Sequence, residues 1–332
     1  MKMALQIRSV MPLKDSIEIA RLAEDHGYDT VWLSEGFGHN DAVTSVTAAA
    51  LNTSRIKVGS SVMVVYLRHP VLMGMTAKSL AEISNDRFVL GLGTGHRNQL
   101  EEFYGLSQER PVRYMREYID VVRMAASGRS SSYDGEIFNI RGYHARTTYE
   151  LEETRLPIFM GVLNEQMLRL AGRIADGVIL AYTPKSHIRQ ARTWIAESAT
   201  EAGRNPDEIT IAAVVPAGVS IDGTTAEDAL RLRIASYASL PDHNRMLRAG
   251  GHGDAIDAVQ EYLDQGDWPA VARGLSEELV AEIGTAGTPE RCRQAAESYA
   301  GTGLDMLIVI PVAMPDRSDA QHHADVVKAF AP

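Results

Sequence analysis

Short segments rich in β-branched residues alternate with longer amphipathic segments along almost the whole chain. This alternation predicts parallel strands joined by helices, because a strand can run parallel to its predecessor only if a crossover returns the chain. Eight such units close best into an α/β (β/α)8 TIM barrel, and a length of 332 residues suits that fold. The predicted strands are 3–9, 29–34, 56–65, 87–92, 157–161, 176–181, 209–217 and 304–311.

Two insertions interrupt the alternation, after strands 4 and 7. Residues 130–150, which include SSYDGEIFNI, predict a small excursion after the fourth unit. Residues 222–287 separate the seventh strand from the eighth helix, which begins at Thr288-Pro289 as an N-cap followed by proline. Because barrel enzymes build their sites from loops at the C-terminal ends of the strands, the insertion 222–287 is expected to form a lid or substrate region. Residues 1–332 are treated as one domain.

The composition argues against several kinds of partner. The formal net charge of −10 disfavours nucleic acid, which basic patches bind, and anionic membrane surfaces. No stretch approaches the roughly 18 consecutive apolar residues of a membrane span, and Arg8 interrupts the apolar run that a secretion signal would need. The single cysteine, Cys292, cannot form an internal disulfide. A soluble protein of the reducing cytoplasm is therefore expected.

The residues that follow the predicted strands disfavour metal and Schiff-base chemistry. QIRSV in the first strand lacks a His-X-His pair, and the ten histidines show no metal-ligand spacing, so no metal is expected. Lys57 and Lys185 lie at the wrong positions for a Schiff-base lysine within a barrel strand. The run GLGTGHRNQ is not a dinucleotide fingerprint, because its glycines are spaced GxGxG and Asp120, about twenty residues on, falls within a helix.

A specific resemblance extends over nearly the whole chain, except for residues 222–287. It is carried by the runs VWLSEGFG, VMVVYLRHPVLMGMTAKSLAEISNDRFVLGLGTG, LPIFMGVLNEQMLRLAGRIADGVIL and GTPERCRQAAESYAGTGLDMLIV. The chain resembles the luciferase-like family of TIM barrels, and within it the members that depend on the deazaflavin coenzyme F420, such as methylenetetrahydromethanopterin reductases. The resemblance implies an oxidoreductase that transfers a hydride between coenzyme F420 and a small organic substrate, and a homodimer.

Proton transfer is expected near Glu35, in the LSEG run after the second strand. The resemblance implies an acidic residue followed by histidine here, which lines the cofactor ring and relays a proton. Gly36 stands where that histidine is expected, so Glu35 alone, or His39 from the following loop, is the candidate proton donor. The alternative is that Glu35 only pairs with a basic side chain such as Arg68. Arg68 is itself a candidate for binding substrate or a cofactor carboxylate, or for a capping role in its loop.

Four segments are candidates for cofactor binding, and the fourth, which contains Tyr182, follows strand six. In strand three the resemblance implies a non-prolyl cis peptide bond at Ser61–Val62 that backs the ring; a plain buried strand is the alternative. After strand four, glycines allow close backbone approach to a ligand, and after strand five the amides at a helix start suit the cofactor phosphate. The candidate cofactor-binding residues are Ser61, Val62, Met63, Thr94, Gly95, His96, Asn98, Gly161, Val162, Leu163 and Tyr182.

Two other functions stay open on the sequence alone. An FMN-dependent monooxygenase would take reduced flavin from a partner flavin reductase and activate oxygen. A non-catalytic flavin- or deazaflavin-binding protein would share the fold, and the missing histidine after Glu35 keeps that alternative open. The insertion 222–287 is expected to determine the substrate, with Trp268 as a candidate for substrate contact or for packing of the insertion.

Overall fold

The structure, a computed structural model, describes residues 1–144 and 156–332. Residues 145–150 of the predicted excursion 130–150 lie outside the described residues. Within the described part there are twelve strands. They are β1 (Lys2–Ile7), β2 (Thr30–Leu33), β3 (Lys57–Ser60), β4 (Met63–Val64), β5 (Phe88–Gly93), β6 (Ser131–Asp134), β7 (Asn139–Tyr143), β8 (Ile158–Gly161), β9 (Gly177–Ala181), β10 (Thr210–Val219), β11 (Thr285–Gly287) and β12 (Met306–Pro311).

Helices connect and surround these strands. They are α1 (Leu13–Asp25), α2 (Ala42–Asn52), α3 (Pro70–Ile83), α4 (Arg97–Tyr104), α5 (Pro111–Ala126), α6 (Glu165–Ile174), α7 (Lys185–Glu201), α8 (Thr224–Ala238), α9 (Pro241–Leu247), α10 (Gly253–Asp257), α11 (Gln260–Gln265), α12 (Trp268–Gly274), α13 (Glu277–Ile283), α14 (Pro289–Glu297) and α15 (Asp319–Ala329). Among the described helices, none combines the length and the hydropathy that crossing a membrane would require.

Eight strands close into a parallel barrel, as the alternation predicted. Their order is β1-β2-β3-β5-β8-β9-β10-β12, and β12 pairs with β1 to complete the circle. All eight predicted strands are present, although the third is divided into β3 and β4 at the peptide bond Ser61–Val62. β4 continues the pairing with β5. The side chains at the C-terminal strand ends therefore converge on one mouth of the barrel.

The order of the last helices differs from the prediction. α14 carries the predicted Thr288 N-cap and the proline at N1, but it precedes β12 and is therefore the seventh return helix, not the eighth. The eighth is α15, which the sequence analysis did not predict. Its start carried a readable signal, since Ser318 and Gln321 form a capping box that satisfies backbone groups at both positions.

The two insertions take different forms. The described part of residues 130–150 forms an antiparallel hairpin, β6 and β7. The insertion after β10 consists of α8 to α13 and returns to the barrel through β11, which pairs in parallel with the end of β10. Side chains of the insertion, such as Leu230 and Leu279, share one hydrophobic cluster with the barrel interior. The insertion is thus packed onto the barrel mouth.

Two aromatic rings fill the interior of the barrel. Trp32 on β2 and Phe159 on β8 lie with ring centroids 5.5 Å apart, and Trp32 is fully buried. Glycines on the adjacent strands make the room: a Cβ at Gly59 would lie 2.4 Å from the Trp32 ring, and one at Gly177 would lie 2.5 Å from the Phe159 ring. The base of the barrel is therefore filled by closely packed side chains.

Two buried histidines tie α15 to the barrel. The Nε2 atom of His322 accepts a hydrogen bond from the Val219 amide at 3.0 Å, and its Nδ1 lies 2.8 Å from the Val312 carbonyl oxygen, which fixes the neutral tautomer. His323 is buried beside the Arg8 backbone. Burial lowers the pKa of His322, and it lowers that of His323 to about 3. Both rings are therefore held neutral in the folded protein.

We expect the free energy of unfolding to fall as the pH drops below about 6.5. Below that pH the histidine side chain binds a proton in the unfolded chain, whereas the buried His323 stays neutral in the folded protein. The loss continues until the pH reaches the folded pKa of about 3. Between pH 7.5 and 5.0, His323 should account for about 2 kcal/mol of unfolding free energy, measured by urea denaturation. His323→Gln should remove that share, whereas the exposed control His39→Gln should keep the wild-type slope. Identical slopes for His323→Gln and wild type would contradict this assignment.

Candidate active site

A cavity of about 470 Å³ opens at the C-terminal ends of the barrel strands. Active sites of such barrels lie at this face, and the volume suits a small organic ligand. The lining comes from the segments after β1, β2, β5, β8 and β9, and from helices α8 and α9 of the insertion. The cavity is therefore enclosed by barrel loops on one side and by the insertion on the other.

Val62 lines the base of the cavity, and the adjoining Ser61–Val62 peptide bond is cis, as the resemblance implied. Two glycines flank its side chain. A Cβ at Gly93 would lie 2.3 Å from Cγ2 of Val62, and a Cβ at Gly161 would lie 2.9 Å from Cγ1. Gly91 is equally constrained, because a Cβ there would lie 1.8 Å from the Ser60 carbonyl oxygen. These glycines shape the cavity base by letting neighbouring backbone and side chains approach closely.

Glu35 is tied into an ion-pair network at one side of the cavity. Its Oε1 atom lies 2.6 Å from an Nη of Arg68, and its Oε2 accepts a hydrogen bond from the Val64 amide at 2.8 Å. Arg68 also contacts Asp41. Burial alone would lower the pKa of Arg68, but the two carboxylates raise it. Of the sequence alternatives, the pairing of Glu35 with Arg68 is present, and both carboxylate oxygens of Glu35 have partners.

The loop after β5 brings Thr94, Gly95 and His96 to the cavity. Gly95 has a φ of 70°, which glycine adopts without strain. The side-chain amide of Gln108 donates hydrogen bonds to the carbonyl oxygens of Thr94 at 2.9 Å and Gly95 at 3.3 Å. Burial lowers the pKa of His96. The side chain of Gln108 thus holds the loop, which presents a neutral imidazole to the cavity.

The turn between β8 and α6 lines the cavity with Gly161, Val162, Leu163 and Asn164. Asn164 caps α6, since its side chain accepts a hydrogen bond from the Met167 amide at 3.0 Å. The remaining amides of the first turn of α6 are free of backbone partners by helix geometry. The turn therefore has the backbone amides at a helix start on which the sequence prediction of a phosphate site was based.

Helices α8 and α9 of the insertion supply an aromatic and basic wall that sequence reasoning missed. Tyr237 stacks on Tyr182, with ring centroids 3.6 Å apart. Arg233 donates a hydrogen bond to the Tyr182 hydroxyl at 2.8 Å. His243 is 3% exposed, burial lowers its pKa to about 3, and neither ring nitrogen has a hydrogen-bond partner in the described chain, although the Ala181 backbone lies nearby. This buried imidazole belongs to the cavity lining, and its ring nitrogens can form hydrogen bonds with a bound ligand.

Arg8 is a further lining residue that the sequence analysis did not select. It follows β1 directly, and its guanidinium lies 2.7 Å from the Asp319 carboxylate. Its position at the C-terminal end of a barrel strand was a usable signal. The residues on α8 and α9 gave no such signal, because their approach to the cavity depends on how the insertion packs.

The remaining sequence candidates have distinct locations. Glu35, His39, Ser61, Val62, Thr94, Gly95, His96, Gly161, Val162, Leu163 and Tyr182 line the cavity. Met63 is buried beside the lining, and Asn98 is exposed on α4. Arg68 reaches the site only through Glu35. Trp268 is 39% exposed on α12 and is not part of the lining. No group of three or more potential metal-ligating side chains occurs within residues 1–144 and 156–332.

The closed parallel barrel with its cavity at the C-terminal strand ends defines a TIM-barrel enzyme architecture. The sequence profile described as luciferase-like monooxygenase matches residues 3–306. The chain belongs to this family, which confirms the resemblance recognised in the sequence.

Individual relatives agree with this assignment. A 5,10-methylenetetrahydromethanopterin reductase of Archaeoglobus fulgidus is 28% identical over 301 residues, covering 90% of this chain and 89% of that protein. The structure of a coenzyme F420-dependent tetrahydromethanopterin reductase from Methanopyrus kandleri is 22% identical, with a TM-score of 0.85 over 99% of this chain and 97% of the other. An F420-dependent secondary alcohol dehydrogenase, in complex with an F420-acetone adduct, is 18% identical with a TM-score of 0.79 over 100% and 99%. These two structures share the fold of this chain.

We expect Arg68→Gln to lower the free energy of unfolding by about 2 kcal/mol, because it leaves the Glu35 carboxylate unpaired in a largely buried position. The side chains of Arg68 and Glu35 are only 16% and 8% exposed. The double variant with Glu35→Gln should recover part of the loss, as a double-mutant cycle in urea would measure. Arg173→Gln, which breaks an exposed pair with Glu201, is the matched control and should cost less than about 1 kcal/mol. Additive losses would show that Glu35 and Arg68 are not coupled.

Proposed function

We propose that this protein is a coenzyme F420-dependent oxidoreductase that transfers a hydride between the deazaflavin and a small organic substrate held in the barrel mouth. The observation that carries the proposal is the cavity itself, with its glycine-flanked Val62, in a chain that is 28% identical to a protein named 5,10-methylenetetrahydromethanopterin reductase. The similarity to proteins named as F420-dependent supports the choice of cofactor.

The lining residues fit a flat, partly polar ring system. Gly93 and Gly161 leave Val62 as the apolar surface that projects into the base of the cavity, where a Cβ at either position would collide with it. The same cavity is lined by polar atoms, including the two ring nitrogens of His243, which have no hydrogen-bond partner among the described residues. A buried polar group without a partner is costly unless a ligand or water completes it. This combination supports a ligand with an apolar face and a hydrogen-bonding edge.

Each segment of the lining has a distinct task in this proposal. Val62 backs the ring, and the loop with Thr94 and His96 contacts its polar edge. The turn from Gly161 to Asn164 binds the phosphate through amides at the start of α6, where the helix dipole favours an anion. When bound, the coenzyme supplies the hydride chemistry, and the protein contributes orientation and the exclusion of water. The insertion 222–287 acts as the substrate wall, since Arg233 and His243 from it line the cavity.

The contacts of Glu35 favour a positioning role over proton transfer. One oxygen is neutralised by Arg68 and the other accepts from the Val64 amide, two residues beyond Val62. Both carboxylate oxygens of Glu35 are therefore engaged by protein partners, and neither is left for a substrate. Glu35 would therefore hold the segment that backs the ring. His39, exposed at the cavity rim, is the other candidate for proton transfer.

A second function is an FMN-dependent monooxygenase, which the description of the matched family favours. It would need a flavin reductase as partner. The homodimer, the cytoplasmic location and the single-domain organisation stay predictions from the sequence.

We expect the purified protein to bind coenzyme F420 with a micromolar or smaller dissociation constant, and to bind FMN more weakly. The measurement is a titration that follows the quenching of intrinsic fluorescence. Gly93→Ala should weaken that binding at least about tenfold, equivalent to about 1.4 kcal/mol, because its Cβ would displace Val62. Gly301→Ala, where a Cβ meets open space, is the matched control. Preference for FMN would favour the monooxygenase, with oxygen uptake as the next assay. Binding of neither cofactor would refute the proposed function.

Glu35→Gln separates the two roles of Glu35. If Glu35 positions the segment at Val64, the variant should weaken F420 binding and turnover by similar factors, because the amide is a weaker acceptor than the carboxylate. If Glu35 transfers a proton, the variant should lower turnover by a much larger factor than it lowers the affinity for F420. The measurement is a parallel titration and steady-state assay. Unchanged affinity together with unchanged turnover would exclude both roles.

A further inference from the structure

Arg233 on α8 forms no ion pair with a carboxylate among residues 1–144 and 156–332. Its Nε donates to the hydroxyl of Tyr182 at 2.8 Å, and an Nη lies 3.5 Å from the hydroxyl of Tyr237. The guanidinium also lies over both rings, 5.4 Å and 4.8 Å from their centroids. Burial alone would lower the pKa of Arg233, but the tyrosines and the more distant Asp319 raise it. The cavity wall therefore contains a charged guanidinium fixed mainly by neutral partners.

The other charged side chains that line the cavity are neutralised within the protein. They form the ion pairs Arg8–Asp319 (2.7 Å), Asp242–Arg245 (2.6 Å) and Glu35–Arg68 (2.6 Å). Arg233 lies near enough to Arg8 to contribute to lowering the pKa of Arg8, and the Asp319 carboxylate raises the pKa of both arginines. Two guanidinium groups and one carboxylate leave one positive charge in excess in this part of the lining. Such an excess in a largely enclosed site favours an anionic ligand.

The excess charge lies away from the surface assigned to the ring. Val62 projects between Gly93 at the end of β5 and Gly161 at the end of β8. Arg233 descends from the insertion after β10, and Arg8 follows β1, so both belong to the half of the mouth formed by β9, β10, β12 and β1. An anion bound by these two arginines is therefore assigned to the substrate, whereas the cofactor phosphate is assigned to the turn at the start of α6.

We propose that Arg233, assisted by Arg8, binds a carboxylate group of the organic substrate, so that the enzyme acts on organic acids. This deepens the proposed function and rests on it. The sequence pointed to Arg68 for a carboxylate, but Arg68 is already engaged by Glu35 and Asp41. Arg233 has the free capacity that Arg68 lacks. The stack of Tyr182 on Tyr237 fixes the guanidinium before the ligand arrives, which reduces the ordering cost of binding.

The test uses benzoate and benzamide, which have similar shapes and differ in charge. Each is titrated against the F420-loaded protein and against the cofactor-free protein, with binding followed by saturation-transfer NMR. We expect benzoate to bind the wild type more tightly than benzamide. Arg233→Gln should weaken benzoate at least about tenfold, the loss typical of a hydrogen-bonded charge pair, and leave benzamide unchanged. Arg273→Gln, an exposed arginine of the same insertion, is the matched control and should behave as wild type.

A second variant guards against an unfolded Arg233→Gln protein. Arg233→Lys keeps the charge and should retain a preference for benzoate over benzamide, although a weaker one. Equal binding of benzoate and benzamide to the wild type would overturn the proposal, as would equal benzoate affinity in Arg233→Gln and Arg273→Gln. If Arg233→Gln weakened F420 as much as benzoate, the anionic group would belong to the cofactor and the proposal would also fail. If F420 does not bind, the proposed function fails. The titration of the cofactor-free protein then still tests whether Arg233 binds a carboxylate.

Discussion

The cavity depends on the close approach of strands around Val62. Its side chain occupies the space that a Cβ at Gly93 or Gly161 would need. Two residues before Gly93 on β5, the Ser60 carbonyl oxygen occupies the space that a Cβ at Gly91 would need. The same device operates deeper in the barrel, where glycines accommodate the rings of Trp32 and Phe159. Close-packed interiors allow few such compromises, so the floor of the site and the core of the barrel are one continuous solid.

The charges at the mouth divide into those that serve the protein and those left for a ligand. Arg68 forms ion pairs with Glu35 and Asp41, and Glu35 in turn accepts a hydrogen bond that holds the Val64 backbone in place. Arg233 instead rests on neutral tyrosines. A guanidinium satisfied by carboxylates contributes order, whereas one satisfied by aromatic hydroxyls retains its attraction for an incoming anion. The identity of the partner, more than the position of the arginine in the sequence, therefore separates a structural from a recognition role.

The barrel strands were predictable because their signals are local: short apolar runs such as those of β5, β9 and β12 can be recognised without knowledge of their neighbours. The resemblance supplied the Ser61–Val62 cis bond, which no local pattern encodes. Its candidate residues that line the cavity lie mostly at strand ends, whose location follows from the fold. His243 and Arg233 were missed because α8 and α9 approach the cavity through tertiary packing, and sequence gives no direction for an insertion. α15 was missed although Ser318 and Gln321 marked its start.

The insertion leaves and rejoins the barrel at neighbouring points, since β11 pairs with the last residues of β10 and places Gly287 opposite Val219. A segment whose two ends already lie side by side adds little closure entropy when its length changes. The pairing of the barrel strands therefore places little constraint on the length of chain between residues 224 and 283, although the insertion must still cover the barrel interior. Helices α8 to α13 are in this sense an exchangeable module, through which evolution or design can alter the chemistry admitted to the mouth while the cofactor surface stays as it is.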